Sequence, residues 1–151
     1  MKKIFIAIVL LIGITIQSRS QDYPVIAKEY CDCFKKLKDT IDVEFRELLI
    51  RVAKQTDLEA AFVKEMNGLD VTKQSRLAGQ LETLSTSIES DKTEAGRCGI
   101  ALDDRYEKYI DTPEMKKDFT IKMIAELKKN KNCEFFWAVA VFAMTFIDKA
   151  E

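Results

Sequence analysis

The sequence predicts an all-α, disulfide-stapled helical bundle, and three observations carry that prediction. Glycine and proline are scarce, five and two in 151 residues, and no β-branched run alternates with period two. Apolar residues recur instead at three- and four-residue steps, the spacing that gathers them on one face of a helix. Four cysteines form an even set downstream of an N-terminal segment of export type, so two disulfides are the default pairing.

That N-terminal segment is tripartite. Lys2 and Lys3 make a positive start, "IFIAIVLLIGITI" is an apolar stretch of thirteen residues, and "SRS" places small residues before Gln21. Residues 1–20 are expected to be a cleaved secretory signal peptide and residues 21–151 a single helical-bundle domain, secreted or periplasmic. The apolar stretch is too short for a comfortable membrane span, so no stable span is expected after cleavage. Loss of Lys2, Lys3 and Arg19 takes the formal charge from −1 to −4. A mildly acidic, mixed-sign surface lacks the basic footprint of a nucleic-acid binder.

The helices follow in order. From Pro24 to about Gln55 nothing interrupts a stripe of Ile26, Tyr30, Phe34, Leu37, Ile41, Phe45, Leu48 and Val52, which predicts one long first helix. "TDLE" at 56–59 reads as a capping box with Thr56 as N-cap, and "NG" at 67–68 as a stop, so the second helix is short. A third starts near Asp70, carries Leu77, Leu81, Leu84 and Ile88, and ends around 89–91. Asp91 with Glu94 opens a fourth, whose stripe is Ala95, Cys98, Leu102, Tyr106 and Tyr109. Thr112 caps a fifth with Pro113 in its first position and Met115, Phe119, Met123 and Leu127 on one face. A sixth begins near Asn132. The plan is five main helices plus a short capping helix.

Within that plan, "EYCDCF" sets the staples. At about 100° per residue, Cys31 and Cys33 fall about 80° to either side of a stripe centred near Phe34, on opposite edges of the core face. Each thiol therefore reaches a different neighbouring helix, one meeting Cys98 and the other Cys133. The wheel does not decide handedness, and the expectation leans to Cys31–Cys98 and Cys33–Cys133. Because all four cysteines sit near predicted helix starts, the first, fourth and sixth helices are expected to begin at one end, with the short helix across the other. Each bridge closes a long loop, for which chain entropy gives about 4 kcal/mol. A redox pair would need better geometry than i,i+2 on a helix, a four-cysteine zinc site a closely spaced second pair, and covalent haem a histidine. No metal or cofactor is expected.

Histidine is absent from the chain, which excludes Ser-His-Asp and Cys-His catalysis. Asp103 and Asp104 read as a solvated helix face and Glu134 as a first-turn acid favoured by the helix dipole. No phosphate loop, EF-hand or nucleophile elbow occurs, so no catalytic residue is assigned. The remaining unusual segment is "CEFFWAVAVFAMTFI" at 133–147, in which Phe135 to Ile147 is apolar on every face apart from Thr145. It reads as a central, enclosed helix. Phe135, Phe136, Trp137, Phe142 and Phe146 are the candidate surface for an apolar ligand, a partner or a second copy wherever that enclosure is incomplete. The expectation is an exported, non-catalytic binding or interaction protein of the inhibitor, immunity or envelope-accessory kind, with another protein as partner. The alternatives are a carrier of an apolar small molecule, or a thiol-redox or chaperone-like protein using the Cys-x-Cys pair.

Overall fold

A computed structural model describes the backbone of residues 22–147, with side chains through 145; the expected signal peptide and the Phe146 side chain lie outside the described residues. The described chain is all-α: α1 (Tyr23–Phe34), a single turn α2 (Leu37–Thr40), α3 (Val43–Ala53), α4 (Leu58–Asn67), α5 (Val71–Glu89), α6 (Glu94–Tyr106), α7 (Pro113–Lys129) and α8 (Glu134–Ile147). Short 3₁₀ turns, Glu107–Tyr109 and Lys131–Cys133, follow α6 and precede α8. No helix among the described residues is long and apolar enough to cross a membrane.

All eight stripe residues predicted between Ile26 and Val52 are buried. They do not lie on one helix. The chain turns extended at Ile41 (φ −101°, ψ 135°) and restarts at Asp42, whose carboxylate accepts from the Glu44 N–H at 2.8 Å as an N-cap. Thr40 donates its hydroxyl to the Leu37 carbonyl at 2.9 Å, closing the turn before the break. The Asp42 N–H donates to Gln80 on α5 at 2.8 Å, and Arg76 of α5 pairs with both Asp42 and Glu44. Distant partners thus satisfy backbone and carboxylate groups that a continuous helix would have used or exposed.

Two other caps differ from the sequence reading. Asp57 rather than Thr56 caps α4, accepting from the Ala60 N–H at 3.0 Å, and Thr93 rather than Asp91 caps α6, accepting from the Gly96 N–H at 2.9 Å. Thr112 and Pro113 open α7 as expected. Exposure also departs from the stripes at Leu81 (41%) and Met115 (39%).

The disulfides join Cys31 to Cys133 and Cys33 to Cys98, the reverse of the pairing favoured by the sequence reading, while keeping one bridge from each of Cys31 and Cys33. The division of the first helix also changes the topology. Cys31 and Cys33 now occupy the last turn of α1, so α1 ends where α6 and α8 begin. Cys33–Cys98, Tyr30–Asp103 and Glu29–Tyr106 contacts descend α1 while ascending α6, so these two helices run antiparallel. They pack closely because Gly99 lies under Phe34: a Cβ there would stand 3.1 Å from the Phe34 ring. α1 packs on α6 and α7, and α8 on α3 and α7, around one core.

Candidate functional site

The site begins with the chain's four tyrosines, Tyr23, Tyr30, Tyr106 and Tyr109, which all surround Phe119. Ring centroids lie 5.9 Å from Phe119 for Tyr23 and 6.4 Å for each of the other three. α1 delivers Tyr30 on its buried face, α6 and the turn after it deliver Tyr106 and Tyr109, and α7 delivers Phe119. Two phenols are anchored on acids: Tyr30 donates to Asp103 and Tyr106 donates to Glu29, each at 2.6 Å. Arg105 also donates to Glu29, at 3.1 Å and 3.2 Å to its two oxygens.

Beside this cluster lies a cavity of about 180 Å³ between α1, α6, α7 and α8. α7 supplies its longest wall, because Phe119, Met123 and Leu127 recur at four-residue steps and are all buried. Tyr30 closes it from α1, Ile110 from the turn after α6, and Phe136 and Ala140, one turn apart, from α8. Phe136 is held in place by stacking on Phe34 at 4.6 Å. Asp103 and Lys116 are the exposed residues of the lining and mark the mouth.

Burial removes water from the Tyr30 phenol and Asp103 accepts its hydrogen bond, so its pKa is pushed well above the usual tyrosine range. Tyr106 is raised for the same reasons, desolvation first and then Glu29, with Arg105 opposing. Both hydroxyls therefore remain donors throughout the ordinary pH range.

Two wider hollows differ in kind. A groove of about 630 Å³ between the start of α4, α7 and α8 has no buried residue in its lining, which includes Leu58, Ile124, Val141 and Met144. A cleft of about 370 Å³ lies over the Cys33–Cys98 bridge, among Glu29, Asp32, Lys36, Glu94 and Arg105. No cluster of His, Cys, Asp or Glu suited to a metal ion occurs among the described residues.

Of the residues singled out from sequence, Phe135 (8% exposed), Trp137 (5%) and Phe142 (9%) are core rather than an exposed strip. Phe142 meets Phe62 of α4 edge-on at 5.7 Å. Phe136 alone lines the cavity, and the Phe146 side chain falls outside the described residues. The four cysteines are all paired. Sequence reasoning missed Asp103, setting it aside as a solvated acid, because its partner Tyr30 stands 73 residues away. Tyr30 and Phe119 were visible only as members of apolar stripes. Comparison with protein families, curated proteins and solved structures finds no match for the chain.

Proposed function

We propose that the protein is exported and acts without catalysis, holding a small, largely apolar molecule in the cavity between α1, α6, α7 and α8. The observation that carries this reading is the cavity itself: an apolar hollow floored by buried Tyr30, Phe119, Met123 and Leu127 in an otherwise packed bundle. Its 180 Å³ is sufficient, since a dry cavity of about 150 Å³ lined by aliphatic and aromatic side chains binds benzene. Export is supported by the tripartite N-terminus and by two disulfides, which persist in oxidising compartments. A protein-docking role draws less support, because the large exposed apolar side chains are spread over α1, α3, α4, α5, α6 and α7. Redox work by the Cys-x-Cys pair draws less as well, since each of its thiols is bonded to a different helix.

The test is a thermal-shift panel on protein recovered from the exported fraction. Toluene, indole and similar apolar probes should raise the melting temperature by several degrees by mass action. Ala140→Leu, which fills part of the cavity, should fold with its own melting transition and lose that response. A panel without any response, or one equally strong in Ala140→Leu, contradicts the proposal; absence of the protein from the exported fraction contradicts export, and retention of Lys2 and Lys3 in exported protein contradicts cleavage near Gln21.

A further inference from the structure

We infer that the cavity selects a primary amine with an apolar body about the size of a benzene ring, its ammonium held at Asp103; this rests on the cavity being the binding site. The donors and acceptors at the mouth are unequal in number. Tyr30 has committed its O–H to Asp103 at 2.6 Å, and Thr120 has committed its hydroxyl to the Lys116 carbonyl at 2.8 Å. What these side chains still offer a ligand is acceptor capacity: the Asp103 carboxylate and the spare lone pairs of Tyr30 and Thr120. A ligand that meets them must donate.

Charge sharpens the requirement. No ion pair reaches Asp103 among the described residues, and its carboxylate is fixed at the lining by the Tyr30 phenol. Glu29, the neighbouring acid, is already held by Arg105 and Tyr106. Three lining side chains, Tyr30, Phe119 and Phe136, are aromatic, and an aromatic ring attracts a cation placed over its face. Lys116, the one charged donor in the lining, shares the mouth with Asp103 but is exposed and makes no ion pair with it, so solvent screens its repulsion of a ligand cation. An ammonium brings three donors and a positive charge to a place with acceptors and a negative one, while its ring or branched body takes the volume behind Phe119 and Met123.

Calorimetric titration with three probes of one shape separates the possibilities: 3-phenylpropylamine, 3-phenylpropanol and 3-phenylpropionate. The amine should bind about tenfold more tightly than the alcohol, as for a charge-assisted hydrogen bond near solvent, and the carboxylate least well. Asp103→Asn, which keeps an acceptor for Tyr30, should remove the preference for the amine and leave alcohol binding within about twofold. Lys116→Gln should leave amine binding intact. Equal affinities for amine and alcohol overturn the amine inference while sparing the cavity. A preference for the carboxylate that disappears in Lys116→Gln overturns it in favour of an acid. Failure of all three probes together with toluene overturns the cavity reading itself.

Discussion

Tyr30 shows how one side chain joins stability to the site. Its ring is buried at 8% exposure between Tyr106 and Phe119, while its hydroxyl reaches Asp103 at the cavity mouth. A phenol that ionises at a higher pH when folded than when unfolded adds stability that is complete below the ordinary value of 10.0 and is lost as pH rises toward the folded value. Denaturant midpoints should therefore fall between neutral pH and about pH 11, and fall less in Tyr30→Phe. Equal losses in the two proteins would place the alkaline sensitivity elsewhere. Tyr30's burial was legible from its place in the stripe beginning at Ile26. Its bond to Asp103 was not, because periodicity reports which face a residue occupies and nothing about a hydroxyl's partner on another helix.

At the scale of elements, the same limit appears in the divided first helix. Leu37 and Ile41 precede the break and Phe45 follows it, yet all are buried, since α1, α2 and α3 present their stripes to one core. Spacing alone could not separate one bent helix from several. The stabilisers of the break, Arg76 and Gln80, lie 34 and 38 residues from Asp42. The N-cap of α7 was legible because Thr112 and Pro113 are adjacent and act locally.

Glycines test this packing directly. A Cβ on Gly96 would stand 1.9 Å from the Ser90 carbonyl oxygen, whereas one on Gly79, inside α5, meets nothing within 4 Å. Gly79→Ala should then stabilise by about 0.5–1 kcal/mol through helix propensity. Gly96→Ala should destabilise by about 1–3 kcal/mol, because the turn between α5 and α6 must move to admit the methyl group. Chemical denaturation of both variants checks the pair; opposite signs are expected, and a neutral Gly96→Ala would mean that the turn yields freely.

At the scale of the whole molecule, the staples fasten the end of α1 to the starts of α6 and α8, with bridges spanning 65 and 102 residues respectively. Chain entropy assigns about 4–5 kcal/mol to each. They differ in access. Cys31 (7% exposed) and Cys133 (2%) are buried, whereas Cys33 and Cys98 are half-buried in the lining of an open cleft that a reductant can enter. Limited reduction followed by alkylation and peptide mapping should label Cys33 and Cys98 first. Labelling of all four at one rate would show that the molecule opens globally before either bridge is reached.

Within this stapled arrangement Tyr30, Phe119 and Phe136 meet at the cavity from three helices. Methyl-resolved NMR of the protein titrated with toluene addresses its role most directly. Saturable shifts are expected on the methyl groups of Ile110, Met123 and Leu127, with those of Val63 and Leu81 unmoved. Absence of saturable shifts at the first group, or shifts confined to the second, would contradict that role.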